Sequence, residues 1–227
     1  MQILFVNEVF VSLQGEGHFT GTPAIFVRLQ GCDVHCPWCD TGYAMSLARD
    51  LRTKDNDFSV LAKETASGLY TSMDPEILCN YLSGLHKSIR HVVLTGGEPF
   101  MQDVAPFIRL LQGRGFYVQV ETSGTRPLSV YNEEYLWITL SPKRARMPLA
   151  ENWSRANEIK IPIASEEDAD FLLSEVFERV DRKSAQSPII ALQPVSQDRE
   201  ATRLCFKLCL KHNLHLSLQT HKYTDFR

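Results

Sequence analysis

The stretch Ala24-Ile25-Phe26-Val27-Arg28-Leu29-Gln30-Gly31-Cys32-Asp33-Val34-His35-Cys36-Pro37-Trp38-Cys39-Asp40-Thr41 joins a run with the apolar bulk of a buried strand to a loop dense in thiols. Cys32, Cys36 and Cys39 lie within eight residues, too close in sequence for a sensible disulfide framework but able to reach one metal centre together. A structural zinc site normally closes with four protein ligands, and a cubane iron–sulfur cluster has four irons to hold, so three cysteines leave one coordination position open. An open position points to chemistry. The alternative on the loop alone is a structural zinc completed by His35 or a distant histidine.

The rest of the chain bounds what such a site can belong to. Its 227 residues, 44% apolar and with 11 prolines, suffice for one sizeable core and predict a single domain over 1–227. A formal net charge of −3 gives no polyanion-binding signature, so nucleic acid is not an expected partner, although Lys143-Arg144-Ala145-Arg146 is a local cluster able to meet an anion. No basic leader followed by an apolar run opens the chain, and no stretch of about eighteen apolar residues occurs, which predicts a cytoplasmic protein without membrane contact. A reducing compartment keeps clustered thiols reduced. Cys79, Cys205 and Cys209 are expected as packing residues, the last two on one face of a helix.

Ile3 to Leu13 alternates in a way that suits an extended arm or edge strand, and glycine-rich turns follow it. From Ser46 to Ser88 the pattern loosens, with Asp74-Pro75 marking a helix start before Glu76 to Leu85 and an insertion expected at about 44–75. Beyond it, strands are predicted at His91 to Thr95, Phe116 to Val120, Leu136 to Leu140, Glu158 to Pro162, Ile189 to Leu192 and Leu214 to Leu218. Helices are predicted at Asp103 to Gln112, Glu166 to Arg179 and Asp198 to Lys211. Repeated β then α predicts an α/β fold with a mostly parallel sheet, and about six or seven strands in this length suggest a partial, compressed TIM-like β/α barrel. Each strand ends in an unusual polar cluster: the cysteine loop, Thr95-Gly96-Gly97-Glu98-Pro99, Glu121-Thr122-Ser123-Gly124, Ser141-Pro142-Lys143, Gln193-Pro194-Val195-Ser196 and Gln219-Thr220-His221-Lys222. In parallel β/α architectures the carboxyl ends of the strands face one way, so these clusters are expected around one site.

Cys32-x3-Cys36-x2-Cys39 together with Gly96-Gly97-Glu98-Pro99 resembles the radical S-adenosylmethionine (SAM) superfamily. The resemblance implies a radical SAM core in which the three cysteines hold a [4Fe-4S] cluster. The unligated iron is then chelated by the amino and carboxylate groups of S-adenosyl-L-methionine, and the glycine turn lies against the methionine ammonium. Two glycines allow close backbone approach, and Glu98 is a carboxylate acceptor.

A narrower similarity spans nearly the whole chain. Leu13-Gln14-Gly15-Glu16-Gly17, Arg28-Leu29-Gln30-Gly31-Cys32, Trp38-Cys39-Asp40-Thr41, Glu121-Thr122-Ser123-Gly124-Thr125, Ser141-Pro142-Lys143, Leu192-Gln193-Pro194-Val195-Ser196 and Gln219-Thr220-His221-Lys222-Tyr223 resemble the 7-carboxy-7-deazaguanine synthases of queuosine precursor synthesis. That likeness implies a carbon–nitrogen lyase: 6-carboxy-5,6,7,8-tetrahydropterin becomes 7-carboxy-7-deazaguanine with loss of ammonia. A 5′-deoxyadenosyl radical takes hydrogen from C6, SAM is re-formed, magnesium assists, and a flavodoxin or ferredoxin supplies the electron to a homodimer. No catalytic side chain is implied beyond the cluster and the cofactor radical.

By the same likeness Thr41 is a magnesium ligand, with a helix N-cap as its other reading. Trp38, Cys39, Asp40, Gly97, Glu98, Ser141, Pro142, Lys143, Gln193, Pro194, Val195 and Ser196 are cofactor contacts, Trp38 also being suited to shield a cluster from water. Leu13, Gln14, Gly15, Glu16, Arg28, Thr95 and His221 are substrate contacts, with Glu121 a further candidate. Arg28 forks naturally onto a carboxylate, or else forms an ion pair with Glu16 or Glu121. His221 either closes the substrate pocket or belongs to a surface tail. The tail Tyr223 to Arg227 carries no assignable role. Activating enzymes of glycyl-radical proteins share the cysteine spacing and the glycine turn, but not the Leu13–Gly17 segment. A non-catalytic metal-binding partner protein is the reading from another class.

Overall fold

A computed structural model describes residues 3–130 and 134–224, which leaves the last three positions of the tail outside the described residues. Two compact units result, one built from 3–12, 23–122, 128–130 and 134–136, the other from 13–22, 123–127 and 137–224.

In the first unit the strands run in the order β3-β1-β2-β4-β5, with β1 at Leu4–Leu13, β2 at Pro23–Leu29, β3 at Thr71–Met73, β4 at His91–Gly96 and β5 at Tyr117–Thr122. β2, β4 and β5 are parallel, and β1 meets β3 antiparallel. The parallel strands are near-continuous apolar runs because both faces are covered: Ile25, Val27, Val92, Leu94, Val118 and Val120 are all fully buried. Phe10 packs on Ala24, Phe26 and Val93, its ring stacked on Phe26 at 4.9 Å. The short helix α1 is Phe58–Leu61 and α2 is Pro75–Leu85. α2 starts where Asp74 accepts the N–H groups of Glu76 (2.8 Å) and Ile77 (3.3 Å), with Pro75 at the first helical position. α3 is Ala105–Gly113.

The opening strand is not an edge. β3 takes that place, and it comes from the 44–75 segment, which the sequence offered only as an insertion. Leu4 and the run Val6 to Val9 are buried, including the polar Asn7 and Glu8, so the alternation read from the sequence describes only the second half of β1. Buried amides tie the segment down. Asn7 Nδ2 donates to Gln30 Oε1 (2.7 Å) and to the carbonyls of Ser67 (3.0 Å) and Leu69 (3.2 Å). Gln30 Nε2 donates to the Ser46 carbonyl (2.6 Å), and Gln102 Nε2 to the Gln30 carbonyl (3.0 Å).

In the second unit β6 (Leu136–Leu140), β7 (Glu158–Ile163), β8 (Ile189–Pro194) and β9 (His215–Leu216) are parallel neighbours in that order. α4 (Glu166–Arg179) is capped by Ser165 and has three acidic residues in its first turn; α5 (Arg199–His212) is capped by Asp198 and ends on left-handed Asn213. Leu140, Trp153, Ile159, Ile161, Leu172, Val176, Leu192, Cys205 and Cys209 form the core. Burial, together with neighbouring Cys209, pushes the Cys205 thiol up to about 12. The strand expected at Leu214 to Leu218 is reduced to two residues, because beyond Leu216 the chain turns to place Ser217 and Gln219 in a buried polar cluster. No helix among the described residues is long and apolar enough to cross a membrane.

Candidate active-site elements

Leu29 stands opposite Gly96 in the parallel pairing of β2 and β4, so the loops leaving both strands are neighbours. The Gly97 N–H donates to the Leu29 carbonyl (3.0 Å) and the Glu98 N–H to the Gly31 carbonyl (2.8 Å). Both glycines are obligatory. A Cβ on Gly97 would stand 2.0 Å from the Gly31 carbonyl oxygen, while Gly96 has φ +116° and would place a Cβ 2.4 Å from the Leu29 carbonyl oxygen. The cysteine loop is held at its root by Gly31 N–H to Ala44 O (2.8 Å) and Cys32 N–H to Met45 O (3.1 Å), and it turns through left-handed His35.

Its three thiols are partly buried. Burial pushes the Cys32 thiol up, against the N–H groups of Val34 and His35 that favour the thiolate. Cys39 Sγ lies 3.5 Å from the Thr41 hydroxyl, which donates to the Gly96 carbonyl at 3.4 Å. Thr41 occupies the position before the 3-10 turn Gly42–Ala44, yet its side chain makes no cap bond there. Trp38 and Asp40 are exposed. Among the described residues no three His, Cys, Asp or Glu side chains converge as ligands of one ion. A cubane asks for something else, one thiolate at each of three separate irons, and three partly buried thiols on one braced loop fit that demand.

Glu98 is buried, and its Oε1 accepts the Phe100 N–H (3.1 Å) and the hydroxyl of Thr122 at the end of β5 (2.6 Å). Arg28, opposite Thr95 in the pairing, meets neither of the ion-pair partners expected from sequence. Its Nε donates to Glu8 Oε1 at 2.6 Å, and the Tyr43 hydroxyl donates to the same oxygen at 3.0 Å. The guanidinium lies against the rings of Phe10 and Tyr43. Glu121 accepts from Gln119 Nε2 (2.8 Å), whose Oε1 meets His91 Nε2 (2.9 Å). Glu8→Gln leaves a guanidinium without its buried counter-charge and is expected to lower stability by about 3 kcal/mol, read from urea unfolding midpoints.

The second unit gathers the other motifs. The Gln14 backbone is fixed by N–H to Thr22 O (2.8 Å) and by Gly21 N–H to Gln14 O (2.7 Å), and its side-chain Oε1 accepts the Glu16 N–H (3.1 Å). Leu13 is exposed. Glu16 Oε2 accepts from Lys160 Nζ (2.6 Å) and Gln193 Nε2 (3.2 Å), and Oε1 from Gln219 Nε2 (2.8 Å). Burial alone would raise the Glu16 carboxyl, but the charge and hydrogen bond of Lys160, with Gln219 and His221, outweigh it and hold the group at about 2. Its contribution to stability is therefore complete above the ordinary 4.5 and is lost as pH falls through about 2.

The Gly17 N–H donates to Ser217 Oγ (2.8 Å) and the His18 N–H to Glu158 Oε1 (3.0 Å), while Thr139 Oγ1 holds Glu158 Oε2 (3.1 Å). His221 packs on Gly15, where a Cβ would stand 2.3 Å from its Nδ1, and Thr220 N–H donates to Gly15 O (2.9 Å). Lys143 Nζ folds back onto the Ser141 carbonyl (2.7 Å) and hydroxyl (2.6 Å), beside buried Pro142. Val195 and Ser196 follow Pro194 in a 3-10 turn, Ser196 with φ 55°.

Sequence reasoning passed over Glu8, Glu158, Lys160 and Ser217, and gave Thr122 no role of its own within its motif. One signal was present: Glu158-Ile159-Lys160-Ile161 sets charges alternately with isoleucines inside a strand of a parallel sheet, where both faces are ordinarily apolar.

A family model for the radical SAM superfamily matches residues 26–138. The chain is 43% identical over 224 residues to a 7-carboxy-7-deazaguanine synthase of Escherichia coli K12, with 97% of each chain covered. To a protein of that name from Buchnera aphidicola it is 36% identical over 222 residues, with 98% of each covered. The crystal structure of QueE from Escherichia coli superposes with a TM-score of 0.86 at 41% identity, covering 96% of this chain and 95% of that one. The fold expected from the strand–helix order is thus the radical SAM fold.

Proposed function

Because the chain belongs to the 7-carboxy-7-deazaguanine synthases of the radical SAM superfamily, we infer that it is a lyase converting 6-carboxy-5,6,7,8-tetrahydropterin to 7-carboxy-7-deazaguanine with loss of ammonia. The observation that carries this reading is the interlock of the cysteine loop with the Gly96-Gly97-Glu98 turn through the Gly31 carbonyl. As a radical SAM protein it works with a [4Fe-4S] cluster and SAM on a small molecule, and it takes an electron from a donor protein. When bound, the cluster and SAM supply the radical that removes hydrogen from the substrate. We assign the cluster to Cys32, Cys36 and Cys39, magnesium to Thr41, and the donor role to a flavodoxin or ferredoxin. The working unit is a cytoplasmic homodimer of one radical SAM domain, 1–227, in which 44–75 is an insertion.

The chain's own residues bind and orient. Glu98, fixed by Thr122 and the Phe100 N–H, accepts from the methionine ammonium beside Gly97. Trp38, Cys39 and Asp40 border the cofactor. Ser141, Pro142 and Lys143, with Gln193 to Ser196, hold its nucleoside. Arg28 has its Nε engaged by Glu8, which fixes the guanidinium plane and directs its terminal nitrogens to the substrate carboxylate. Leu13, Gln14, Gly15, Glu16, Thr95, Glu121 and His221 contact the pterin. Thr122→Val removes a hydrogen bond to a buried carboxylate and is expected to weaken SAM affinity about tenfold, measured by equilibrium binding to the reconstituted protein. The reading as a whole is tested by anaerobic incubation of cluster-loaded protein with SAM, reductant, magnesium and the carboxytetrahydropterin. It requires 7-carboxy-7-deazaguanine as product, and its absence would defeat it.

A further inference from the structure

Gln14-Gly15-Glu16-Gly17 and Gln219-Thr220-His221-Lys222 are far apart in sequence, with Glu16 and Gln219 separated by 203 positions, yet they interlock in the second unit. Three of the hydrogen bonds form a closed circuit with the backbone. Glu16 takes Gln193 Nε2, Gln193 Oε1 takes the Ser217 hydroxyl at 2.8 Å, Ser217 Oγ takes the Gly17 N–H at 2.8 Å, and the backbone returns from Gly17 to Glu16. Gln219 closes a second arm, its Nε2 on Glu16 and its Oε1 receiving Lys222 Nζ at 2.8 Å. Beneath both arms lies β7. Glu158 and Lys160, two apart in the strand, share one face; Glu158 holds the loop by the His18 N–H, and Lys160 holds it by the Glu16 side chain.

We infer that Lys160 is a positioning residue: its buried ammonium aims the Glu16 carboxylate and thereby clamps the Gln14–Gly17 loop to the Gln219–Lys222 segment in the shape that receives the substrate. Lys160 is 4% exposed and 2.6 Å from Glu16 Oε2, so neither charge can turn away without breaking a direct ion pair in a largely buried setting. A buried ion pair stabilises a fold little more than an apolar pair of the same volume, so what this one contributes is direction. Three donors on two oxygens fix the carboxylate plane. The ionisable groups acting on Glu16 are Lys160 from β7 and His221 from the terminal segment. Glu158 lies beside Gly17, and Lys222 acts through Gln219.

The inference rests on the proposed role of the Gln14–Gly17 loop in binding the pterin, and the test separates the two. Reconstituted wild type, Lys160→Met and Lys160→Arg are compared for KM and kcat with the carboxytetrahydropterin between about pH 5 and 9. Lys160→Met is expected to raise KM at least about tenfold with much less effect on kcat. It should also gain an ionisation that wild type lacks: with the ammonium gone, burial carries Glu16 above the ordinary 4.5, so KM climbs further as pH falls. Lys160→Arg should restore the flat profile. A Lys160→Met enzyme whose KM is raised equally at every pH, or is not raised at all, overturns the inference. Should Lys160→Met fail to fold, Lys160→Gln decides: a raised KM that climbs further as pH falls supports the clamp, and an unchanged KM overturns it. Absence of any wild-type turnover of the pterin is the distinct result that would defeat the functional reading itself.

Discussion

A protein in which Cys32, Cys36 and Cys39 are all replaced by alanine is expected to fold as the wild type does and to release no 5′-deoxyadenosine from SAM. The thiols are partly exposed, and the bonds that hold the loop at its root run between backbone groups: Gly31 to Ala44, Cys32 to Met45 and Glu98 to Gly31. None of those bonds uses a cysteine side chain. Removing the three sulfurs should therefore change unfolding free energy by no more than about 1 kcal/mol, as for substitutions away from a core. The chemical effect is total, because His35, the one imidazole on the loop, cannot by itself supply the three protein ligands that the cluster needs. Iron and sulfide analysis of anaerobically prepared protein, denaturant unfolding of the metal-free form and chromatography of the cleavage products check the three parts. Residual cleavage, or collapse of the metal-free fold, would count against the assignment of this loop.

Gly97→Ala should be the most damaging single methyl group in the chain's first unit. The added carbon meets backbone atoms of Gly31, the carbonyl oxygen at 2.0 Å and the carbonyl carbon at 2.5 Å, which no rotamer can move aside. The turn and the root of the cysteine loop must separate, and the 2.8 Å bond from Glu98 N–H to Gly31 O goes with them. Overpacking and the lost bond together are expected to cost about 2–4 kcal/mol, and displacement of Glu98 should lower SAM affinity about a hundredfold. Gly84→Ala is the control: its Cβ would project into open space within α2, and stability should rise by up to about 1 kcal/mol. Unfolding midpoints and SAM binding separate the two glycines. Equal behaviour would show that the close approach of Gly97 to Gly31 carries no energetic consequence.

How much of this was legible beforehand depended on the kind of information each feature uses. The thiol loop and the glycine turn were plain because their chemistry is local: spacing alone brings the three cysteines together, and only glycine tolerates the backbone contacts that the turn makes. Strand ends were legible for the same reason, since apolar runs stop where polar clusters begin. Partnership across the sheet was not. Glu16 and Glu121 are the ion-pair partners that the sequence offers Arg28 as the alternative to a substrate carboxylate, whereas the fold delivers Glu8, and Glu16 finds Lys160, 144 positions away. Nothing in a linear pattern states which residues of two strands stand opposite each other. Burial of a charge is likewise invisible until its counter-charge is known, which is why nothing in the sequence marks Glu8. The edge position of β3 was missed because three residues are too few for a period to emerge.

The protonation of the core thiols has a practical corollary for handling the protein. At neutral pH a thiol held near 12 is almost wholly unreactive toward alkylating agents and peroxides, since only its anion attacks. Oxidative damage at Cys205 thus demands prior unfolding, and a brief pulse of iodoacetamide leaves its label there only in molecules whose α5 has come away. Mass-spectrometric detection of carboxamidomethyl at that position is consequently a sensor of structural integrity, independent of whether the preparation turns over.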